Sequence, residues 1–233
     1  MLRVLGRASS INVRKVLWTC AEIGLPFERE DWGSGFRSPN EPAFTALNPN
    51  AMIPVVIMPR GGAKAPPPPE GCESARERPV ADSDGHFVLW ESNTICRWLA
   101  AEQGRDDLLP SAPRERALVE RWMDWTAGDL NTAWRPAFMG LVRKSAKFQD
   151  PAVIAAGAAE WNRMMEILDR QLQCTGAHVC GDGFTLADVV LGLATHRWYA
   201  TPIERPALLA VRAWYERLRA RPAFIAQGHP EHP

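Results

Sequence analysis

An α+β N-terminal half followed by an all-α half is the fold that this sequence of 233 residues predicts. Three observations point to it. Up to about residue 103, short β-branched runs alternate with a helical stretch and close on a second one. A charged connection ending in proline, Asp106-Asp107-Leu108-Leu109-Pro110, comes next. Beyond Pro113 the apolar residues recur at helical spacing. The expected domains are therefore 1–103 and 113–233.

Leu2 to Leu5 reads as a first strand. Val13, Val16, Leu17 and Cys20 place a helix over Asn12 to Ile23, which Gly24 and then Pro26 stop. Phe27 to Asp31 reads as a second strand. The stretch from Trp32 to Asn50 is rich in Gly, Ser, Pro and Asn, with one short helical piece near Glu41 to Ala46. Val55–Met58 and Phe87–Leu89 read as further strands, and a helix runs from Ser92 to about Gln103 with Ile95 and Leu99 inward. Strand, helix, strand, loop, strand, strand, helix is the order of a thioredoxin-like domain. Between the last two strands, about 59–85, Pro66-Pro67-Pro68-Pro69 and a charged tract replace apolar periodicity, as in an inserted loop of variable order. Loop-closure entropy grows slowly with length, so the sheet tolerates such an insertion. In the second half, Trp161, Met164, Met165, Leu168 and Leu172 form one helical stripe. Val211, Trp214, Tyr215 and Leu218 form another, and Thr185 with Asp188 spells a capping box.

The most informative segment is Asn48-Pro49-Asn50-Ala51-Met52-Ile53-Pro54-Val55-Val56, followed later by Trp90-Glu91-Ser92. Proline is tolerated at a strand entrance because it lacks the N–H a ladder would need. An X-Pro bond is also where a cis peptide is accessible, and a cis Ile53-Pro54 would turn the Ile53 backbone outward to pair with an extended peptide. Ser92 offers a helix start, whose open N–H groups favour a carboxylate. Together they describe a peptide-binding site. Ser9-Ser10-Ile11-Asn12-Val13-Arg14-Lys15-Val16 turns from the first strand into the first helix. A hydroxyl on this turn could donate a hydrogen bond to an anion, and the helix start adds a further favourable field.

In their order and spacing these segments, with the Asp106–Pro110 linker and Phe184-Thr185-Leu186-Ala187-Asp188-Val189, resemble the cytosolic glutathione S-transferases. The resemblance covers nearly the whole chain and is to the bacterial, serine-type (theta- and zeta-like) members. It implies a detoxifying enzyme that holds glutathione as a thiolate for attack on a small hydrophobic electrophile. A glutathione-dependent disulfide or peroxide reductase, and a non-catalytic glutathione-binding protein, are the alternatives on the same scaffold. Counting back from Lys15-Val16, the resemblance gives the thiol-activating role to Ser10, with Asn12 as the rival donor; either residue also serves simply to cap the helix. It assigns the Ile53 backbone, before Pro54, to the peptide, Glu91 to the γ-glutamyl ammonium and Ser92 to its carboxylate. Met52 departs from the basic or polar residue common in relatives, which leaves Asn50 or Trp32 for the glycyl end. Asn131, Trp134 and Arg135, after a bend near Gly128, are the candidates for the electrophile. The resemblance further implies a homodimer, with the N-terminal half of one subunit against the helical half of the other.

Composition narrows the field from another side. With a formal net charge of zero, no electrostatic argument favours nucleic acid or an anionic membrane. No apolar run approaches the roughly 18–20 residues of a membrane span, and no signal-peptide pattern opens the chain, so cytoplasm is the expected compartment. Cys20, Cys72, Cys96, Cys174 and Cys180 contain no Cys-x-x-Cys pair, so they read as free thiols, and no metal is expected.

Overall fold

A computed structural model describes residues 1–59 and 85–228. The insertion expected at about 59–85 thus falls outside the described residues, apart from its two ends. The chain divides into two compact units, Met1–Trp98 and Leu99–Pro233.

The first unit carries strands β1 (Leu2–Leu5), β2 (Phe27–Glu30), β3 (Val55–Met58) and β4 (Phe87–Trp90) in one sheet of order β2-β1-β3-β4. Helix α1 (Ile11–Ile23) makes the crossover that lets β1 and β2 lie parallel, while β3 runs antiparallel to both β1 and β4. Helix α2 (Pro42–Thr45) is a single turn, and α3 (Ser92–Glu102) closes the unit and crosses into the second. Alternation along the strands separates two buried faces. Leu5, Val55 and Ile57 pack with Trp32, Phe44 and Val88 on one side. Val4 and Val56, paired in register, are fully buried on the other. The end of α1 follows from its residues. Gly24 takes φ 69°, and the N–H groups of Gly24 and Leu25 return to the Ala21 and Cys20 carbonyls. Lys15 Nζ donates to Asn93 Oδ1 at 3.2 Å and so ties α1 to α3.

The second unit is helical: α4 (Pro113–Trp125), α5 (Asn131–Leu141), α6 (Pro151–Thr175), α7 (Leu186–Ala200) and α8 (Leu209–Arg219). The bend expected near Gly128 is a π-helical turn, Thr126–Leu130, between α4 and α5. Trp161, Met164, Met165, Leu168 and Leu172 all face the core, as their spacing requires. Helix α7 is buried from Leu186 to Trp198, so it is the central helix of the unit. Its start is fixed by the Thr185–Asp188 capping box. The Leu186 N–H also donates to the Leu108 carbonyl at 2.9 Å, and Leu108 and Leu109 are buried. The Asp106–Pro110 segment is therefore anchored to α7 rather than being a free tether. Gly157 permits the close approach of α6 to α5, because a Cβ there would meet Pro136 Cβ at 2.7 Å.

Candidate functional site

Asn12, Asn48, Met52, Ile53, Pro54, Glu91 and Ser92 line a notch of ≈ 70 Å³ in the first unit. Three backbone features build it. The first is the loop before β3. Asn48 is almost wholly buried; its Nδ2 donates to the Met52 carbonyl at 2.8 Å, and its Oδ1 accepts from the Asn50 N–H at 3.0 Å and Nδ2 at 3.2 Å. Its carbonyl accepts from Ala51, which adopts φ 52°. Held this way, the loop presents Ile53 with a cis bond to Pro54. Among the described residues, the Ile53 N–H and C=O make no hydrogen bond. The Asn48 clamp was not anticipated. Asparagine commonly bonds backbone two residues on, so Asn48-Pro49-Asn50 carried a local signal for it.

The second feature is the start of α3. Glu91 sits at φ 72°, and its carbonyl accepts the Ile95 N–H at 2.9 Å. Left-handed backbone at a residue other than glycine costs about 1–3 kcal/mol and persists where the surroundings demand it. Ser92 is buried, and neither its N–H nor its hydroxyl has a partner among the described residues. The Ser92 N–H and hydroxyl are thus open donors at the helix start.

The third feature is the turn from β1 into α1. Ser10 is the N-cap: its carbonyl accepts from Arg14 at 2.9 Å and its N–H donates to Arg7 at 3.1 Å. Its hydroxyl makes no capping bond. Asn12 lines the notch, whereas Ser10 lies two residues back and is not among the lining side chains. Gly6 lets this turn approach the Ile53 loop. At φ 151° it has the backbone freedom, and a Cβ would stand 2.5 Å from Val13 Cγ2 and 3.2 Å from Ile53 Cβ.

The remaining candidates lie elsewhere. Trp32 is in the core, its ring 4.9 Å from Phe44 and capped by the Arg37 guanidinium at 3.9 Å. Asn50 is exposed and spends its amide on Asn48. Asn131, Trp134 and Arg135 are on α5; Thr132, Ala133 and Pro136, which line a pocket against α6, occupy another face of that helix. Trp134 packs edge-on against Phe138, with the Arg197 guanidinium 4.5 Å from its ring.

The chain's own thiols in this unit are not nucleophiles. Burial pushes Cys20 up to about 12, with Cys96 adding to the effect. Burial likewise pushes Cys96 up to about 11. Among the described residues Cys20, Cys96, Cys174 and Cys180 are free, and no group of His, Cys, Asp and Glu is arranged to hold a metal ion. No described helix is long and apolar enough to cross a membrane.

Comparison with known proteins bears directly on this arrangement. The N-terminal domain model of glutathione S-transferase matches residues 9–102, and the C-terminal domain model matches residues 151–217. Glutathione S-transferase GstB of Escherichia coli is 31% identical over 223 residues, covering 96% of this chain and 95% of that protein. The chain belongs to the glutathione S-transferase family. Glutathione S-transferase 3 of Zea mays is 29% identical, across 96% of this chain and 91% of its own. Among solved structures, the theta class glutathione S-transferase of Xanthomonas axonopodis pv. citri with glutathione bound superposes with a TM-score of 0.82. It is 35% identical, covering 100% of this chain and 99% of that one. The glutathione S-transferase fold, an N-terminal mixed sheet with helices and then an all-helical domain, is thus borne out by both units.

Proposed function

We propose that this glutathione S-transferase holds glutathione in the Asn12–Ile53–Ser92 notch and activates its thiol for attack on a small hydrophobic electrophile. The observation that carries the reading is the convergence of unpartnered backbone groups of Ile53 with the open start of α3 at Ser92. The notch has room for one amino-acid head group; ligand pockets that enclose a whole drug-sized molecule are about 300–1,000 Å³. The γ-glutamyl end enters it, with its ammonium on Glu91 and its carboxylate on the Ser92 donors. The cysteinyl backbone pairs with Ile53, which directs the thiol toward the start of α1. There Ser10 or Asn12 donates to the thiolate. Exposed Asn50 is kept for the glycyl end, whereas Trp32, buried against Phe44, is withdrawn from it, and Asn131, Trp134 and Arg135 are kept for the electrophile. In the transfer step the thiolate forms the new C–S bond, and the leaving group departs with the bond's electron pair. The relatives reported above are named transferases, so transfer is preferred to disulfide or peroxide reduction and to binding without catalysis. The reading takes the domain limits as 103 and 113, which keep α3 whole, and the compartment as cytoplasm.

The intact chain should be retained on immobilised glutathione and eluted by free glutathione. Glu91→Gln should weaken binding about five- to twentyfold, the worth of a charge-assisted hydrogen bond at an exposed position. Unchanged affinity in that variant would remove Glu91 from the site, and no retention of the parent would remove glutathione. Turnover of chlorodinitrobenzene in preference to a hydroxyethyl disulfide substrate separates transfer from reduction.

The family resemblance also leads us to propose a homodimer. Light scattering at micromolar concentration should give twice the chain mass of 25.9 kDa. A stable monomer would overturn the assembly without touching the notch.

A further inference from the structure

We propose a second small-molecule site, for a flat arene carboxylate, in the groove between α7 and α8. His196, Tyr199 and Ala200 of α7 and Arg212, Tyr215, Glu216 and Arg219 of α8 line a cavity of ≈ 480 Å³. That is within the range of small-ligand pockets, about 300–1,000 Å³. Spacings of three and four residues put each set on one helix face. Every one of these residues belongs to the helical unit, and none lines the glutathione notch.

The wall of the groove is aromatic and fixed. Tyr199 and Tyr215 have ring centroids 4.9 Å apart, and His196 stacks on Tyr215 at 6.4 Å with 23° between planes. The Tyr215 hydroxyl is committed to His196 Nδ1 at 2.7 Å, and Phe224 meets the Tyr215 ring edge-on at 6.0 Å. Glu216, the one carboxylate lining the groove, is committed to Arg219 at 3.3 Å.

Two polar groups in the same groove have no such commitment. Among the described residues the Arg212 guanidinium makes no hydrogen bond or ion pair, and the Tyr199 hydroxyl has no partner. Arg212 is near enough to Tyr199 to act on its phenol electrostatically; burial, the larger influence, raises the phenol pKa and keeps it a donor at neutral pH. An uncommitted planar cation and an uncommitted hydroxyl donor beside a fixed aromatic wall select a specific chemistry. A carboxylate matches the guanidinium fork and accepts a further bond from a phenol. A ring coplanar with that carboxylate lies against Tyr199 and Tyr215. A neutral arene would leave Arg212 unanswered, and an aliphatic acid would leave the wall uncovered.

The test uses the intact chain, saturated with glutathione, and 2-naphthoate as probe, with binding followed by calorimetry and ligand-observed NMR. 2-Naphthoate should bind saturably at about millimolar concentration or below. Neutral 2-naphthalenemethanol should bind at least about tenfold more weakly. Arg212→Gln, at an exposed position, should keep the fold and chlorodinitrobenzene turnover while weakening 2-naphthoate about tenfold. Tyr199→Phe should weaken it roughly three- to fivefold. An unchanged affinity in Arg212→Gln, binding of the probe only when glutathione is withheld, or the absence of saturable binding would each overturn the proposal. None of those results bears on the glutathione assignment, which rests on residues of the other unit.

Discussion

Asp188→Ala is expected to cost about 3–5 kcal/mol of stability, enough to leave much of the protein unfolded at physiological temperature. The carboxylate is wholly buried and organises three segments of the helical unit. Oδ2 accepts from the Thr185 N–H at 2.9 Å and from its hydroxyl at 3.1 Å, closing the capping box of α7. Oδ1 accepts from the Val179 N–H at 3.0 Å and from Trp214 Nε1 of α8 at 2.8 Å, with His178 Nδ1 at 3.3 Å. Alanine would strand several buried donors at once, each costing about 1–3 kcal/mol when unsatisfied. Thr185→Ala removes one capping partner and leaves the carboxylate in place, so its cost should be only about 1 kcal/mol. Asp188→Asn should fall between them, because its oxygen still serves Val179 and Trp214 while its amide opposes the Thr185 N–H. Urea unfolding at constant slope measures all three. A midpoint for Asp188→Ala equal to that of Thr185→Ala would show that the box is the whole of its role.

That contrast shows where the sequence was legible. The capping box is a spacing of three residues, and the α6 stripe from Trp161 to Leu172 is a period repeated over three turns, so both are written locally. Trp214 is 26 residues from Asp188 and enters the same cluster only once α7 and α8 have packed. The Ile53-Pro54 loop and the Glu91-Ser92 helix start were both recognisable as segments, and the structure brings them to one notch. Glu91 at φ 72° was not foreseeable, because glycine is the residue that ordinarily marks left-handed backbone. Trp32 was named for the glycyl end only because Met52 departs from the pattern of the relatives; it fills the face of the sheet beside Phe44. The π-helical turn at Thr126–Leu130 shifts the helical phase, which no apolar period announces. Gly128 marked only that something happens there.

Ser10→Ala is expected to lower conjugation at neutral pH by roughly ten- to a hundredfold while leaving the fold and glutathione affinity nearly unchanged. If the tripeptide is held by Ile53, Glu91 and Ser92 as proposed, losing a group near its sulfur removes little binding. A donor to the thiolate stabilises the ionised form and lowers the thiol pKa; removing it raises that pKa by roughly one to two units. Below the raised pKa the thiolate fraction, and with it the rate, falls about tenfold per unit. The loss should therefore shrink as pH rises toward the new pKa, where the thiol ionises unaided. The Ser10 hydroxyl is available for this, since it makes no capping bond to α1. Asn12 makes the competing claim: it lines the notch, and its amide is also a donor. Its replacement by alanine is the decisive companion experiment, with the absorbance of bound thiolate titrated in both variants. A raised thiol pKa in Ser10→Ala alone assigns activation to the hydroxyl. The same shift in Asn12→Ala alone assigns it to the amide and overturns the serine assignment. If neither variant moves the titration, the open N–H groups and field at the start of α1 hold the thiolate without a side chain.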